Sequence, residues 1–229
     1  MRLRRIPGVR EKLLQFPQWL TLEPAQYKGR WREYFAEKAG LPATEEKELH
    51  LELGVGKGNF INTMAQTCPD KYWLGVELRE EVLLQALTKA EAWQAPNLTL
   101  IWANIERLGE FFAPGEVNRI YLNFSDPWPK VRHSKRRLTY RKFLEIYRQI
   151  LQEGSEIHLK TDNRGLFEFS LEEFQECGFQ LREVTFDLHQ EKEKEQFDLS
   201  AQVMTEYEKR FVGLNQPIQR AVAQVLPKG

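Results

Sequence analysis

Two carboxylates and three alternating glycines are the residues best placed for chemistry. In the stretch LHLELGVGKG, Leu49 to Gly58, Glu52 stands just ahead of Gly54, Gly56 and Gly58, and Glu77 closes the next apolar run, YWLGVE, twenty-three residues beyond Gly54. Glycines in this pattern permit positive φ and close approach of backbone to a ligand. The dinucleotide fingerprint would need glycine where Asn59 stands, and a phosphate loop would need Gly-Lys-Ser/Thr; neither is present. Glu52 would repel a pyrophosphate but can accept hydrogen bonds from an ammonium group. An acid about 20 residues beyond such a loop is where a ribose diol is bound. An adenosine carrying an aminocarboxypropyl arm and no phosphate is S-adenosylmethionine. The plainer alternative is an ordinary tight turn.

A second constellation is Asn123-Phe-Ser-Asp126-Pro-Trp-Pro-Lys130. Pro127 and Pro129 fix φ and stiffen the loop, holding Asp126 and Trp128 in one geometry. The competing reading is a rigid turn that Asp126 merely caps. Lys130, Arg132, His133, Lys135, Arg136 and Arg137 follow at once, with no acid between Asp126 and Glu145. Solvated charge runs normally mix signs, so a one-sign cluster points to phosphate.

These residues must be positioned by a chain of 229 residues with 29% charged side chains and a formal net charge of +0. That length suits one α/β domain with additions. Overall basicity is excluded as a source of nucleic-acid binding, so a local patch must supply it. Cys68 and Cys177 fit no metal spacing, and His50, His133, His158 and His189 are scattered, so no metal site is expected. The basic start MRLRRIPGVR meets Pro7 and Gly8 before any signal-length apolar stretch, and no long apolar run follows. A soluble, cytoplasmic protein without membrane attachment is expected.

Residues 1–46 form a basic and aromatic extension, either an arm with short helices packed over a sheet or an arm that touches RNA. From residue 47 strand and helix patterns alternate. Strands are expected at 48–53, 71–77, 98–102, 117–124, 155–161 and 179–186, with a last strand from Val203 to Val212. Helices are expected at 58–68, 79–94, 136–152 and 163–177, with a short one ending near Phe112. The mixed-charge stretch from His189 to Asp198 reads as a mobile surface loop. The alternation predicts a doubly wound, mostly parallel sheet with helices on both faces, whose ligands sit at the carboxyl ends of the strands.

LELGVGKG, GVE, NFSDPWPK, RHSKRRL, KTDN and TEYEKRF, in this order and spacing, resemble the bacterial tRNA (guanine-N7-)-methyltransferase family over residues 48–213. The resemblance implies a class I, Rossmann-like methyltransferase sheet of seven strands with an antiparallel last strand. It implies transfer of a methyl group from S-adenosylmethionine to guanine N7 at position 46 of the tRNA variable loop. It also implies that Glu52, Gly54, Gly56, Glu77, Asn104 and Asp126 line the cofactor site. Lys130, Asp162 and the stretch Thr205, Glu206, Tyr207 and Glu208 would contact substrate. Arg132, His133, Ser134, Lys135, Arg136 and Arg137 would meet RNA. Asn104 stands where related sites often carry Asp; its amide oxygen can still accept from an adenine amino group.

Guanine N7 has a lone pair and no proton, so methylation there needs no general base and rests on positioning. The ring becomes cationic, and a fixed carboxylate favours that charge. Asp126 is the candidate. Asp162 can accept from the N1 and N2 hydrogens of guanine, or it caps the helix beginning near Asn163. Two alternatives stay open: a methyltransferase of another substrate on the same fold, and a noncatalytic RNA-binding protein with a relic cofactor pocket.

Overall fold

Leu49, Leu51 and Leu53 are wholly buried, and so are the intervening His50 and Glu52, as expected of a parallel strand covered on both faces. The computed structural model describes residues 6–40, 47–191, 197–214 and 216–226. They fall into two compact units, Met1–Ala113 and Pro114–Gly229.

The first unit holds four strands in the order β1-β4-β3-β2. They are β1 (Leu20–Thr21), β2 (Leu49–Leu53), β3 (Tyr72–Glu77) and β4 (Leu98–Trp102). Each neighbouring pair is parallel, with Glu52 opposite Gly75 and Glu77 opposite Trp102. The helices are α1 (Val9–Leu13), α2 (Trp31–Ala39), α3 (Asn59–Thr67), α4 (Glu80–Trp93) and α5 (Leu108–Phe111). Between β2 and β4 the observed elements match the sequence expectation to within a residue or two at each end.

Much of the aromatic character of the N-terminal extension goes into packing. Trp31 and Phe35 are fully buried, Trp31 donates its indole N–H to the Phe111 carbonyl at 2.9 Å, and Phe35 stacks on Tyr72. Lys38 donates to the Leu98 carbonyl at 2.7 Å, and burial pulls its pKa down to about 8. Arg2, Arg4 and Arg5 lie outside the described residues.

The second unit has the order β5-β6-β8-β7, comprising β5 (Val117–Asn123), β6 (Leu151–Thr161), β7 (Phe179–Thr185) and β8 (Gln219–Val225). β5 and β6 are parallel, while β8 runs antiparallel to both β6 and β7. Its helices are α6 (Arg141–Ile150), α7 (Arg164–Glu176), α8 (Leu188–Glu191), α9 (Leu199–Gln202) and α10 (Glu206–Val212). With the two-residue β1 included, the sheet strands number eight among the described residues rather than seven.

Three sequence expectations are corrected here. Val203–Val212 is not the last strand: Glu206–Val212 is helical, and the last strand is β8. Thr205 caps α10, its Oγ1 accepting from the Glu208 N–H at 2.9 Å. Thr-x-x-Glu is a helix-start signature, and it outweighs the β-branched and aromatic residues of the stretch. The helix expected from residue 136 begins at Arg141, since Val131–Arg136 forms a 3-10 helix of its own. In the stretch expected to be a mobile loop, Leu188–Glu191 is helical and Asp198 caps α9; residues 192–196 lie outside the described residues.

The segment carrying α8 to α10 packs through Leu188, Phe197 and Ala201 with Ile218, against which Phe124, Phe211 and Val212 are also packed. Beside this apolar cluster runs a buried polar one. His158 pairs with Glu156 at 2.9 Å and with Ser200 at 3.1 Å, and Arg220, 1% exposed, reaches Glu183 and Asp198. Burial lowers the His158 pKa, so the imidazole is neutral near pH 7. Among the described residues no helix is long and apolar enough to cross a membrane.

Candidate active site

In the first unit the parallel strands deliver their acids to one edge. Glu77 ends β3 and accepts three backbone hydrogen bonds: from Gly56 on Oε2 at 2.9 Å, and from Leu78 and Arg79 on Oε1 at 2.9 and 2.8 Å. The Gly54 N–H donates to the Val76 carbonyl at 2.9 Å. β3 thus pins the glycine loop leaving β2. A carboxylate has about four acceptor positions, so three backbone donors leave room on Glu77 for a hydroxyl. Glu52, 1% exposed, is buried at the foot of the loop.

The three glycines have different jobs. Gly54 and Gly56 have φ of 78° and 57°, and nothing lies within 4 Å of where a Cβ would sit, so the backbone is open to a ligand there. Gly58 also has positive φ, but its Cβ would come within 2.5 Å of the Ala86 Cβ. Close packing of α3 on α4, and not ligand approach, is what requires glycine at 58. Asn104 is exposed, and its side chain accepts from the Glu106 N–H at 3.0 Å, capping a 3-10 turn. One acceptor position of its amide oxygen is therefore already used.

In the second unit β5 and β6 end side by side, Asn123 opposite Lys160, and Asp126 and Asp162 follow them. Two residues of the Asp126 loop have left-handed backbone, Phe124 at φ 52° and Trp128 at φ 41°. Non-glycine residues there cost of order 1–3 kcal/mol and gather at functional sites. The strain is held by specific contacts. Arg137 donates to the carbonyls of Pro127 and Trp128 at 3.0 and 3.2 Å while lying over the Phe169 ring. Arg136 lies over the Trp128 indole at 4.8 Å, and His133 meets it edge-on.

The basic run therefore has two parts. Arg137 faces the loop and braces it, whereas Arg132, Lys135 and Arg136 are exposed on the 3-10 helix beside Val131, which is 85% exposed. Lys130 is exposed at its start. Asp126 is exposed and accepts no hydrogen bond from a described residue; it caps nothing. The helix-cap reading of Asp162 also falls away, because Asn163 caps α7, accepting from the Leu166 N–H at 2.8 Å.

Tyr207 on α10 is 47% exposed, and its ring packs between Phe124 and Phe211 at 5.4 and 4.5 Å. Burial raises the pKa of its hydroxyl, with Asp162 and Asp126 adding to the shift. The Tyr207 ring thus packs on the residue two positions before Asp126. Of the stretch Thr205 to Glu208, Thr205 is a cap and Glu208 is fully buried. Sequence reasoning left out Lys160 and His189, which hold Glu208. A lysine two residues before the strand-end Asp162 was the available signal. Among the described residues no group of His, Cys, Asp and Glu could hold a metal ion.

Comparison with known proteins adds a sequence relationship and a fold relationship. Residues 46–221 match the family model described as "Putative methyltransferase". The chain is 48% identical over 229 residues to the tRNA (guanine-N(7)-)-methyltransferase of Brevibacillus brevis, covering 100% of both chains. It is 45% identical over 228 residues to that of a Geobacillus species, covering 100% of this chain and 97% of the relative. The crystal structure of the 16S rRNA methyltransferase KamB has a TM-score of 0.63 at 15% identity, covering 87% of this chain and 94% of that one. This last likeness shows the fold alone, a Rossmann-like methyltransferase fold.

Burial raises the Asp162 pKa above the usual aspartate value of 3.8. Between that value and the raised one the folded chain keeps a proton that the unfolded chain has lost, so stability falls as pH rises through this window. Above the window the full cost of the ionised carboxylate is present. Asp162→Asn should therefore melt higher than wild type at pH 7, and the gain should shrink as pH falls through this window and be lost below it. Thermal melts across pH check this; a variant that melts lower at pH 7 would mean that Asp162 supports the fold.

Proposed function

The chain belongs to the tRNA (guanine-N(7)-)-methyltransferase family, and from that premise we propose that it methylates N7 of guanine at position 46 of the tRNA variable loop with S-adenosylmethionine as donor. The observation that carries this reading is that Asp126 stands on a strained loop, packed through Phe124 on the Tyr207 ring, that runs straight into a one-sign basic 3-10 helix.

The first unit fits the donor. The buried Glu52 carboxylate would take its ammonium group, Gly54 and Gly56 would let backbone N–H groups approach, Glu77 would accept from the ribose diol and Asn104 from the adenine amino group. When bound, S-adenosylmethionine supplies a methyl group already activated on a sulfonium. The work left to the protein is to orient the guanine and to stabilise its growing charge.

Asp162 is suited to orientation. Its raised pKa reflects an ionised form that burial disfavours, and the N1 and N2 hydrogens of guanine are donors that would offset that cost. Adenine, which lacks both donors, would leave it unpaid. Asp126 is suited to charge stabilisation, since its carboxylate is engaged by no described donor and its loop is braced by Arg137. Preorganised charge of this kind lowers a barrier without reorganisation at the moment of reaction. Arg132, Lys135 and Arg136 would neutralise tRNA phosphates, with His133 and Arg137 bracing the loop beside them.

Incubation with methyl-labelled donor and bulk tRNA, followed by nuclease digestion and mapping, should place the label in 7-methylguanosine at position 46. Label in another nucleoside, or at another guanine, would overturn the substrate assignment. Replacing Arg132, Lys135 and Arg136 together by alanine should weaken tRNA binding and reduce the log–log salt slope by roughly 0.7 to 0.9 per lost phosphate contact. Donor binding should be unaffected. An unchanged slope would move the RNA surface away from this helix.

A further inference from the structure

Family resemblance assigns Glu208 to the substrate, but its surroundings give it a different task. The side chain is 0% exposed. Oε2 accepts from Lys160 Nζ at 2.9 Å and Oε1 from His189 Nε2 at 3.1 Å. Lys160, 3% exposed, spends further donors on the carbonyls of Val203 at 2.8 Å and Ser200 at 3.3 Å. Burial pushes the Glu208 pKa up, but His189 and Lys160 outweigh it and hold the carboxyl below its ordinary value. The group is ionised, enclosed and engaged on both oxygens.

Its neighbour is in the opposite situation. Tyr207 is turned outward and packs on Phe124, the left-handed residue two positions before Asp126. The Phe124 N–H donates to the Lys160 carbonyl at 2.8 Å. Lys160 therefore serves both substrate elements of the second unit: its backbone holds the start of the Asp126 loop, and its side chain holds α10 through Glu208. A flat aromatic face packed on the Asp126 loop suits a purine that is becoming cationic, by stacking and by cation–π attraction.

We infer that Lys160, Glu208 and His189 form a positioning cluster that sets the Tyr207 ring against Phe124 as the stacking wall for guanine, and that Glu208 does not itself touch the substrate. This rests on the guanine-N7 reading above and assigns roles within that site. Tyr207 is the substrate-contacting member of the Thr205–Glu208 stretch, and the three residues of the cluster act through it.

The test is a double-mutant cycle with tRNA at saturation, reading single-turnover methyl transfer and Tm on the full chain. His189→Ala removes one arm of the cluster and leaves the buried Lys160–Glu208 pair intact. It should slow transfer about tenfold in the wild-type background and have little effect in a Tyr207→Leu background, because contacting elements couple and independent ones add. Equal losses in both backgrounds would overturn the proposal. A second arm compares Glu208→Gln with the pair Lys160→Met/Glu208→Gln. Breaking one partner of a buried ion pair is costly, whereas neutralising both is often tolerated, so the pair should recover Tm and transfer together. A pair that recovers Tm but transfers as slowly as Glu208→Gln would show that the carboxylate contacts substrate, and would overturn the proposal. Absence of 7-methylguanosine with the wild-type protein would overturn the functional reading and this inference with it; normal wild-type product with additive losses would overturn the inference alone.

Discussion

The Glu77 carboxylate accepts hydrogen bonds from Gly56, Leu78 and Arg79 at 2.8–2.9 Å, and this small array of backbone donors shapes the whole ligand-facing edge of the first unit. It fixes the turn after β3 and the loop after β2 with one side chain. Hydrogen bonds to a charged group are worth roughly 1.5–3 kcal/mol each, and with the Gly54 N–H donating to the Val76 carbonyl they hold the loop open where the side chains of residues 54 and 56 would be. The acid proposed to meet the donor's ribose is thus also the reason its neighbouring loop has a defined shape. The second unit repeats the principle with cations. Arg137 stitches the Asp126 loop through two carbonyls, and Lys160 stitches α10 through Glu208.

Why Asp126 is left exposed follows from that division of labour. A carboxylate that also capped a turn would have its charge spent on local donors, and it would stabilise a cationic guanine less. Here the left-handed Phe124 and Trp128 are supported by Tyr207, Arg136 and Arg137, leaving Asp126 free of structural duty. Asp162 is similarly relieved, since Asn163 takes the cap of α7. Both acids are available because adjacent residues perform the architectural work.

The sheet was legible in the sequence wherever apolar runs alternated with helical periodicity, and β2 through β5 lie where that pattern puts them. The glycine loop, Glu77 and the Asp126 loop were legible because their chemistry depends on local spacing. What was hidden depended on contacts distant in sequence. Glu208 looks like a surface acid until Lys160, forty-eight residues away, closes on it. The helical character of 206–212 was present in the Thr205 cap signal, but β-branched and aromatic content favoured a strand. Gly58 looked like a ligand glycine because its requirement comes from Ala86 on another helix. The bracing role of Arg137 was masked by its place in a run of like charges whose simplest partner is phosphate.

The central claim is that methyl transfer here is driven by fixed charge and orientation, with Asp126 supplying the charge and no proton changing hands. Single-turnover transfer by Asp126→Asn measures it most directly, because the substitution keeps the shape of the side chain and removes its charge. The account predicts an unchanged Tm and a transfer step slowed by about 10² or more, the range for loss of one preorganised electrostatic group. Wild-type transfer should run equally fast in H2O and D2O. Transfer near the wild-type rate in a folded Asp126→Asn variant would contradict the account and leave the loop as scaffold.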